Sequence, residues 1–318
     1  MKQLSFADQS FVRQPKTTRK QQFLTEMDQV VPWQRLGALI EPHYPKAGRG
    51  RRPFPLETML RIHFMQQWFA LPDPAMEEAL HDVPVMRAFA GLDAGNDCMP
   101  DETTILHFRH LLERHQLGGR ILAEVNALLG EKGLMLRQGT LVDATLIAAP
   151  SSTKNASGQR DPEMSQTRKG QQWYFGAKAH IGTDAHSGLV HTVVVTTAKT
   201  ADITMTEALL HGEERLVLGD GGYHRTERTF GQTHNASGPK MLTPFKRQNG
   251  QELSEWQRGF NRLLARLRAK VEHPFRVIKR QFGYTKVRYR GLAKNAAQLE
   301  VLFALSNLFQ SRRRLLQG

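Results

Sequence analysis

The stretch TLVDATLI, residues 140–147, decides the fold. Its β-branched and aliphatic residues show no helical period, as expected of a strand buried on both faces. Asp143 stands in its middle. A charge inside a buried strand is costly unless paired or bound to a cation, and nothing nearby in the sequence pairs it.

Upstream of Gly139 the pattern is helical. Residues 23–135 read as short helices joined by tight turns. They comprise Phe23–Ile40, the apolar LETMLRIHFMQQWFAL (56–71), Ala75–His81 behind an Asp73-Pro74 start, and Val85–Phe89. Asp101 then caps ETTILHFRHLLERH, whose apolar face is Ile105, Phe108, Leu111 and Leu112, with Thr103, Thr104, His107 and Arg109 exposed. A helix-turn-helix reader and a plain helical bundle both fit. His107, His110 and His115 have no cysteine nearby and read as surface or core residues, not ligands. Residues 1–22 form a flexible basic arm, equally a DNA contact or a solvated tail. PKAGRGRRPFP (45–55) is a turn with four cations, Lys46, Arg49, Arg51 and Arg52, that suits a DNA-backbone clamp.

Downstream, residues 148–172 read as a long polar loop, and 173–182 and 189–197 as a hairpin of two strands. Asp202–Leu210 reads as a short helix. RLVLGDGGYH (215–224) is a second buried strand that runs into Asp220 and two glycines. Open α/β sheets place their ligand chemistry at the carboxyl ends of core strands, and glycines allow close approach. Asp220 also fits a plain helix N-cap. One further short strand is expected in KMLTPF (240–245).

The third acid lies in RAKVEHPFRVIKRQFGY (268–284). Apolar residues at Trp256, Phe260, Leu263, Leu264, Leu267, Val271, Phe275, Ile278 and Phe282 mark one helix face. Arg268, Glu272, Arg276 and Lys279 form a stripe beside it. Taken alone, Glu272 reads as part of a solvated ion-paired face. Pro274 predicts a kink or boundary just after it. A helix over Asn295–Gln310 and a basic tail, 312–318, close the chain.

Composition narrows the function. The 318 residues suffice for two domains, and the single cysteine, Cys98, excludes disulfides within the chain and disfavours a thiolate zinc site. No apolar run approaches a membrane span, and the N-terminal stretch lacks a signal-peptide core, so a cytoplasmic protein is expected. The net charge of +14 is concentrated. Residues 1–136 carry 16 basic and 16 acidic side chains, 137–245 carry 11 and 10, and 246–318 carry 17 and 4. A field confined to one segment suits a phosphate backbone better than a membrane or an acidic protein. Three carboxylates from separate elements, Asp143, Asp220 and Glu272, are the ligands that a pair of hard divalent cations needs for phosphoryl displacement.

At these residues the chain resembles the DDE transposases of bacterial insertion sequences, in the insertion sequence five family. The likeness covers nearly the whole chain. It is carried by GRRPFPLETMLRIH, PDETTILHFRHLLERH, QGTLVDATLIAAPSSTK, RDPEMSQTRKGQQWYFGAKAHIG, GDGGY and VEHPFRVIKRQFGYTKVRYRGL. Arg268, Glu272 and Lys279 match the spacing of the family's Tyr-Arg-Glu-Lys signature, whereas Ala265 stands at the tyrosine position. The stretch after Tyr223 is the least family-like.

The resemblance implies an α/β fold: an RNase H-like catalytic domain over 136–311, with a mixed sheet of about five strands flanked by helices. An all-α DNA-binding and dimerisation domain over 23–135 precedes it. It implies catalysis at Asp143, Asp220 and Glu272 with two Mg²⁺ ions, for which Mn²⁺ can substitute. Expected DNA contacts are Arg268, Lys279, Arg276, Lys178, His180, Arg51 and Arg52. The expected partners are double-stranded DNA, as terminal inverted repeats and target, and a second copy of the chain in a homodimer, in a nucleoid-associated setting with no membrane. Two other classes remain in view: a domesticated DNA-binding protein without catalysis, and a metal-dependent nuclease without strand transfer. Mg²⁺-dependent cleavage separates the first from a transposase, and joined products separate the second.

Overall fold

Among the described residues up to 131 the regular elements are helices: α1 (Arg19–Val30), α2 (Trp33–Ile40), α3 (Leu56–Phe69), α4 (Asp73–Asp82), α5 (Pro84–Phe89), α6 (Glu102–Arg114) and α7 (Leu117–Glu131). The computed structural model describes residues 16–48, 51–156, 158–224, 239–247 and 251–317. Two units form, residues 1–125 with 304–318, and residues 126–303. Their boundaries fall inside helices, whereas the composition changes near residue 136.

The helix expected over 23–40 is two helices, because Pro32 withholds an amide between α1 and α2. α1 begins earlier, at Arg19, where Thr18 Oγ1 accepts from the Gln21 amide at 3.2 Å. Residues 19–22 are therefore helical and not part of an arm, and residues 1–15 of the expected arm lie outside the described residues. α3 is buried almost all round, from Thr58 to Trp68. Trp68 meets Phe23, Phe64 and Phe89 at ring-centroid distances of 5.3, 5.9 and 5.8 Å.

α6 starts as the sequence predicts. Asp101 accepts from the Thr104 amide at 2.7 Å, which satisfies a donor that the first turn leaves orphaned. Asp101→Ala is expected to cost about 1 kcal/mol, read as a lower denaturant midpoint at unchanged slope. Arg109, expected to be exposed, is buried. Its guanidinium pairs with Asp73 at 3.2 Å and Glu113 at 2.8 Å.

His63 is buried in the same unit, and burial holds its imidazole down at about 4, with the Arg109 charge adding to the effect. It stays neutral in the fold at pH values where the unfolded chain, with an ordinary value near 6.5, takes up a proton. Stability therefore falls as pH drops from about 6.5 to 4, by up to about 3 kcal/mol from this residue. His63→Leu is expected to flatten that part of a melting-temperature profile.

In the second unit the backbone is a mixed α/β structure. Its strands are β1 (Gly139–Ala148), β2 (Ser165–Lys169), β3 (Gln172–Asp184), β4 (Val190–Thr197), β5 (Leu216–Leu218) and β6 (Lys240–Leu242). β1 pairs antiparallel with β3, β3 pairs antiparallel with β2 and β4, and β5 runs parallel to both β1 and β6. β2 was hidden in a segment that reads as loop. It covers Gln172–Gly176 of β3 while β4 covers Ala177–Thr183, and Ser165 Oγ donates to Thr197 Oγ1 at 3.0 Å. The sixth strand thus continues β4 along one edge of β3, leaving five positions across the sheet. Val142, Leu209, Val217, Tyr223 and Met241 pack together as a core on one face.

The helical stretch that follows changes its winding twice. α8 (Glu255–Arg268) opens with a capping box at Ser254 and Gln257, and a 3₁₀ turn follows at Ala269–Val271. Then come α9 (Glu272–Arg276) and a π turn, Val277–Gln281. The boundary therefore lies just before Glu272. Pro274 falls in the first turn of α9, where its missing amide costs nothing. Leu264, Val271, Phe275, Ile278 and Phe282 are buried, but Trp256, Leu263 and Leu267 of the expected apolar face are exposed. α10 (Leu292–Leu315) is longer than expected and takes Arg312–Arg314 into its last turn, so they form no tail. Among the described residues no helix is long and apolar enough to cross a membrane.

Candidate active site

The register of two parallel strands brings the first two acids together. Leu141 on β1 pairs with Leu218 on β5, and Asp143 and Asp220 each stand two residues further on. Asp143 therefore stands in the middle of β1, level with Asp220 just past the carboxyl end of the neighbouring β5. Asp143 Oδ1 accepts from the Ala144 amide at 2.7 Å. Asp220 caps the turn Gly221–Tyr223, accepting from the Gly222 amide at 2.7 Å. The cap and the site are one arrangement: the cap uses Oδ1 and fixes the carboxylate's direction.

Glu272 enters from the helical side and is exposed at the start of α9. Burial, helped by the charges of Glu272 and Asp220, pushes the Asp143 carboxyl up to about 6 against its amide hydrogen bond and the Arg268 charge. The charges of two carboxylates from other elements thus reach Asp143. Like charges are gathered there at a cost to the fold, which marks a site for cations or their ligands.

Residues 135–308 match the family described as Transposase DDE domain, and residues 12–111 match the one described as Transposase domain (DUF772). The chain belongs to the DDE transposases. No solved structure matches it.

Around the three acids of the transposase, the expected DNA contacts divide. Arg268 is half-buried, with Nη2 at 3.7 Å from Asp143 Oδ2, and its buried Nε finds no hydrogen-bond partner among the described residues. Lys279 reaches the same strand. Its amine donates to Thr145 Oγ1 at 2.7 Å and the Leu146 carbonyl at 3.0 Å. Burial and the charge of Lys169 lower its affinity for a proton. The stripe expected to face DNA is therefore turned largely onto β1, with Lys279 bracing the strand beside Asp143. Arg276 is exposed.

Lys178 and His180 are a correction. Asp143 pairs with Ile181, whereas His180 pairs with Ala144 and Lys178 with Leu146. Side chains alternate along a strand, so both point to the face opposite Asp143. There Lys178 bonds Asp202 at 2.9 Å and the Thr200 carbonyl at 2.6 Å. His180 is buried, bonded to Thr196 Oγ1 at 2.9 Å, and burial lowers it to about 4. Both are thus engaged by neighbouring groups of the protein on that face.

Arg51 and Arg52 belong to the first unit. They line a cleft of about 250 Å³ with Tyr44, Phe54, Thr104 and His107. Arg51 lies over the Phe54 ring at 5.3 Å. Of the other two clamp cations, Lys46 is exposed and Arg49 lies outside the described residues. One cation beside Asp220 escaped the sequence reading: the Lys246 amine donates to the Gly221 carbonyl at 2.6 Å. Only its place in the basic C-terminal segment hinted at it.

Proposed function

We propose that the chain is the transposase of a bacterial insertion sequence of the insertion sequence five family. In this reading it binds the terminal inverted repeats, cuts the element ends by metal-dependent phosphodiester hydrolysis, and joins the freed 3′-hydroxyl to target DNA by transesterification. The observation that carries it is the shared level of Asp143 and Asp220 on β1 and β5, with Glu272 acting on Asp143 from α9. The order β4–β3–β1–β5–β6 supports an RNase H-like reading of residues 136–311.

An oxygen-only donor set whose carboxylates repel one another suits hard divalent cations. Asp143, Asp220 and Glu272 would hold two Mg²⁺ ions, for which Mn²⁺ can substitute. When bound, they supply polarisation of the scissile phosphate and a lowered pKa for the attacking oxygen.

The protein's own groups then have separable tasks. Gly222 orients Asp220, and Ala144 orients Asp143. Lys279 holds β1 in place, and Arg268 retains a buried N–H to offer a phosphate oxygen. Arg276, with Arg51 and Arg52 in the helical region 23–135, would contact the DNA backbone. That region would also read the element end and dimerise. The protein would act in the cytoplasm, on the nucleoid.

The test uses the full chain, a duplex bearing one element end, a target plasmid and Mg²⁺. Strand breaks at the end together with joined products are expected. Nicks without joining would leave a nuclease, and binding without cleavage would leave a DNA-binding protein.

A further inference from the structure

A second cluster lies at the amino ends of the strands that lead to Asp143 and Asp220. We propose that His191, His211 and Glu214 form a structural binding site for one divalent transition-metal ion, zinc fitting best, at the amino ends of β1 and β5. His191 is on β4, and His211 and Glu214 lie in the segment leading into β5. Thr140 on β1 completes the surroundings. It is three residues before Asp143, roughly 10 Å along the strand.

Geometry carries the assignment. One ligand atom from each of the three residues lies within 4.8 Å of the others. His211 Nε2 is 3.3 Å from Glu214 Oε1. That matches the edge of a tetrahedron with metal–ligand bonds of roughly 2.0–2.1 Å. His211 Nε2 is also closed off from solvent and has no hydrogen-bond partner among the described residues. His191 donates to or accepts from Thr192 Oγ1 through Nδ1 at 2.8 Å, which fixes its ring and leaves Nε2 toward Thr140 Oγ1 at 3.0 Å.

Glu214 is held just as firmly. Oε1 accepts from the His211 amide at 2.6 Å and from Thr140 Oγ1 at 3.1 Å, and Oε2 from the Gly212 amide at 2.8 Å. Partners of this kind orient metal ligands and tune their basicity. Gly182 makes room: a Cβ there would lie 2.7 Å from His191 Cε1.

Two imidazoles and one carboxylate favour zinc or another transition ion over magnesium, which prefers oxygen donors. Binding at His211 Nε2 moves its ring proton to Nδ1 and gives up the 3.3 Å bond from the Glu213 amide. Binding at His191 Nε2 moves its proton to Nδ1, where Thr192 Oγ1 accepts it, and gives up the bond to Thr140. The ion would tie β4 to the entry of β5 beneath β1, and so set the two strands that lead to Asp143 and Asp220. The competing arrangement is a metal-free cluster in which His211 N–H points at Glu214.

The experiment does not depend on DNA chemistry. The full chain carrying Asp143→Asn and Asp220→Asn, which removes two oxygen ligands at the other site, is purified in Mg²⁺ alone and its metal content measured. About one zinc per chain is expected. Replacing it with Co²⁺ should give the visible absorption of a tetrahedral site, and chelation should lower the melting temperature by several degrees. His191→Gln with His211→Gln should lose the ion and the chelator sensitivity. A soluble chain without zinc as purified, with no Co²⁺ spectrum and no stabilisation by added zinc, would overturn the proposal. That result would leave the hydrogen-bonded cluster, and the DNA-cutting assay would stand untouched.

Discussion

Asp143→Asn is expected to abolish cleavage and joining of element ends while leaving the protein as stable as before, or more so. Asparagine keeps the acceptor for the Ala144 amide and nearly the same volume, so the strand need not move. What disappears is the charge. Metal charge stabilisation of a phosphoryl transition state is worth several kcal/mol, so the rate should fall at least about 10³-fold. Stability runs the other way. A carboxyl raised from 3.8 to about 6 is disfavoured in its charged form by the fold at neutral pH. Removing it relieves up to about 3 kcal/mol, a net figure in which the opposing charge of Arg268 is already included. An end-cleavage assay and a thermal melt on the same preparation decide the matter. Activity lost together with a large drop in melting temperature would indicate a structural role, and retained activity would remove Asp143 from the site.

Gly176→Ala should be the most damaging single methyl in the second unit. Gly176 lies on β3 opposite Ala148 of β1 and Ser165 of β2. A Cβ there would stand 2.1 Å from the Ile147 carbonyl oxygen and 2.9 Å from the Ala149 amide nitrogen. Both are backbone atoms, so no rotamer change relieves the contact, and β1 would have to separate from β3 near the site. A loss of about 4 kcal/mol or more is expected, about 10 °C in melting temperature, or failure to accumulate as soluble protein. Gly130→Ala on α7 is the control. Nothing lies within 4 Å of that Cβ, so the change should be neutral or slightly stabilising. Equal behaviour of the two variants would show that β1 and β3 do not meet as described.

Much of this was readable from local chemistry. The strand period of 140–147, the apolar run ending at Asp220 and the cap at Asp101 each arise from a few adjacent residues, and the structure reproduces them. β2 escaped because its sequence, SQTRK, is polar and exposed, and only pairing with Gln172–Gly176 makes it a strand. The break at Pro32 was visible in principle, since proline interrupts a helix wherever its amide is needed.

The sequence by itself determined the three acids, the elements that carry them, the basic C-terminal quarter and the family. Those features depend on residue type, on periodicity and on linear motifs. Tertiary structure alone decided which way side chains point and what they meet. Register sent Lys178 and His180 to the face opposite Asp143. A 3₁₀ turn and a π turn on either side of α9 altered the helical phase, and Arg268 and Lys279 came to rest against β1. His191, His211 and Glu214, scattered among thirteen histidines and thirty acids, became a cluster only where β4 and the entry to β5 converge on Thr140. A strand's pattern gives its alternation, but only the partner strand fixes which residue stands opposite which.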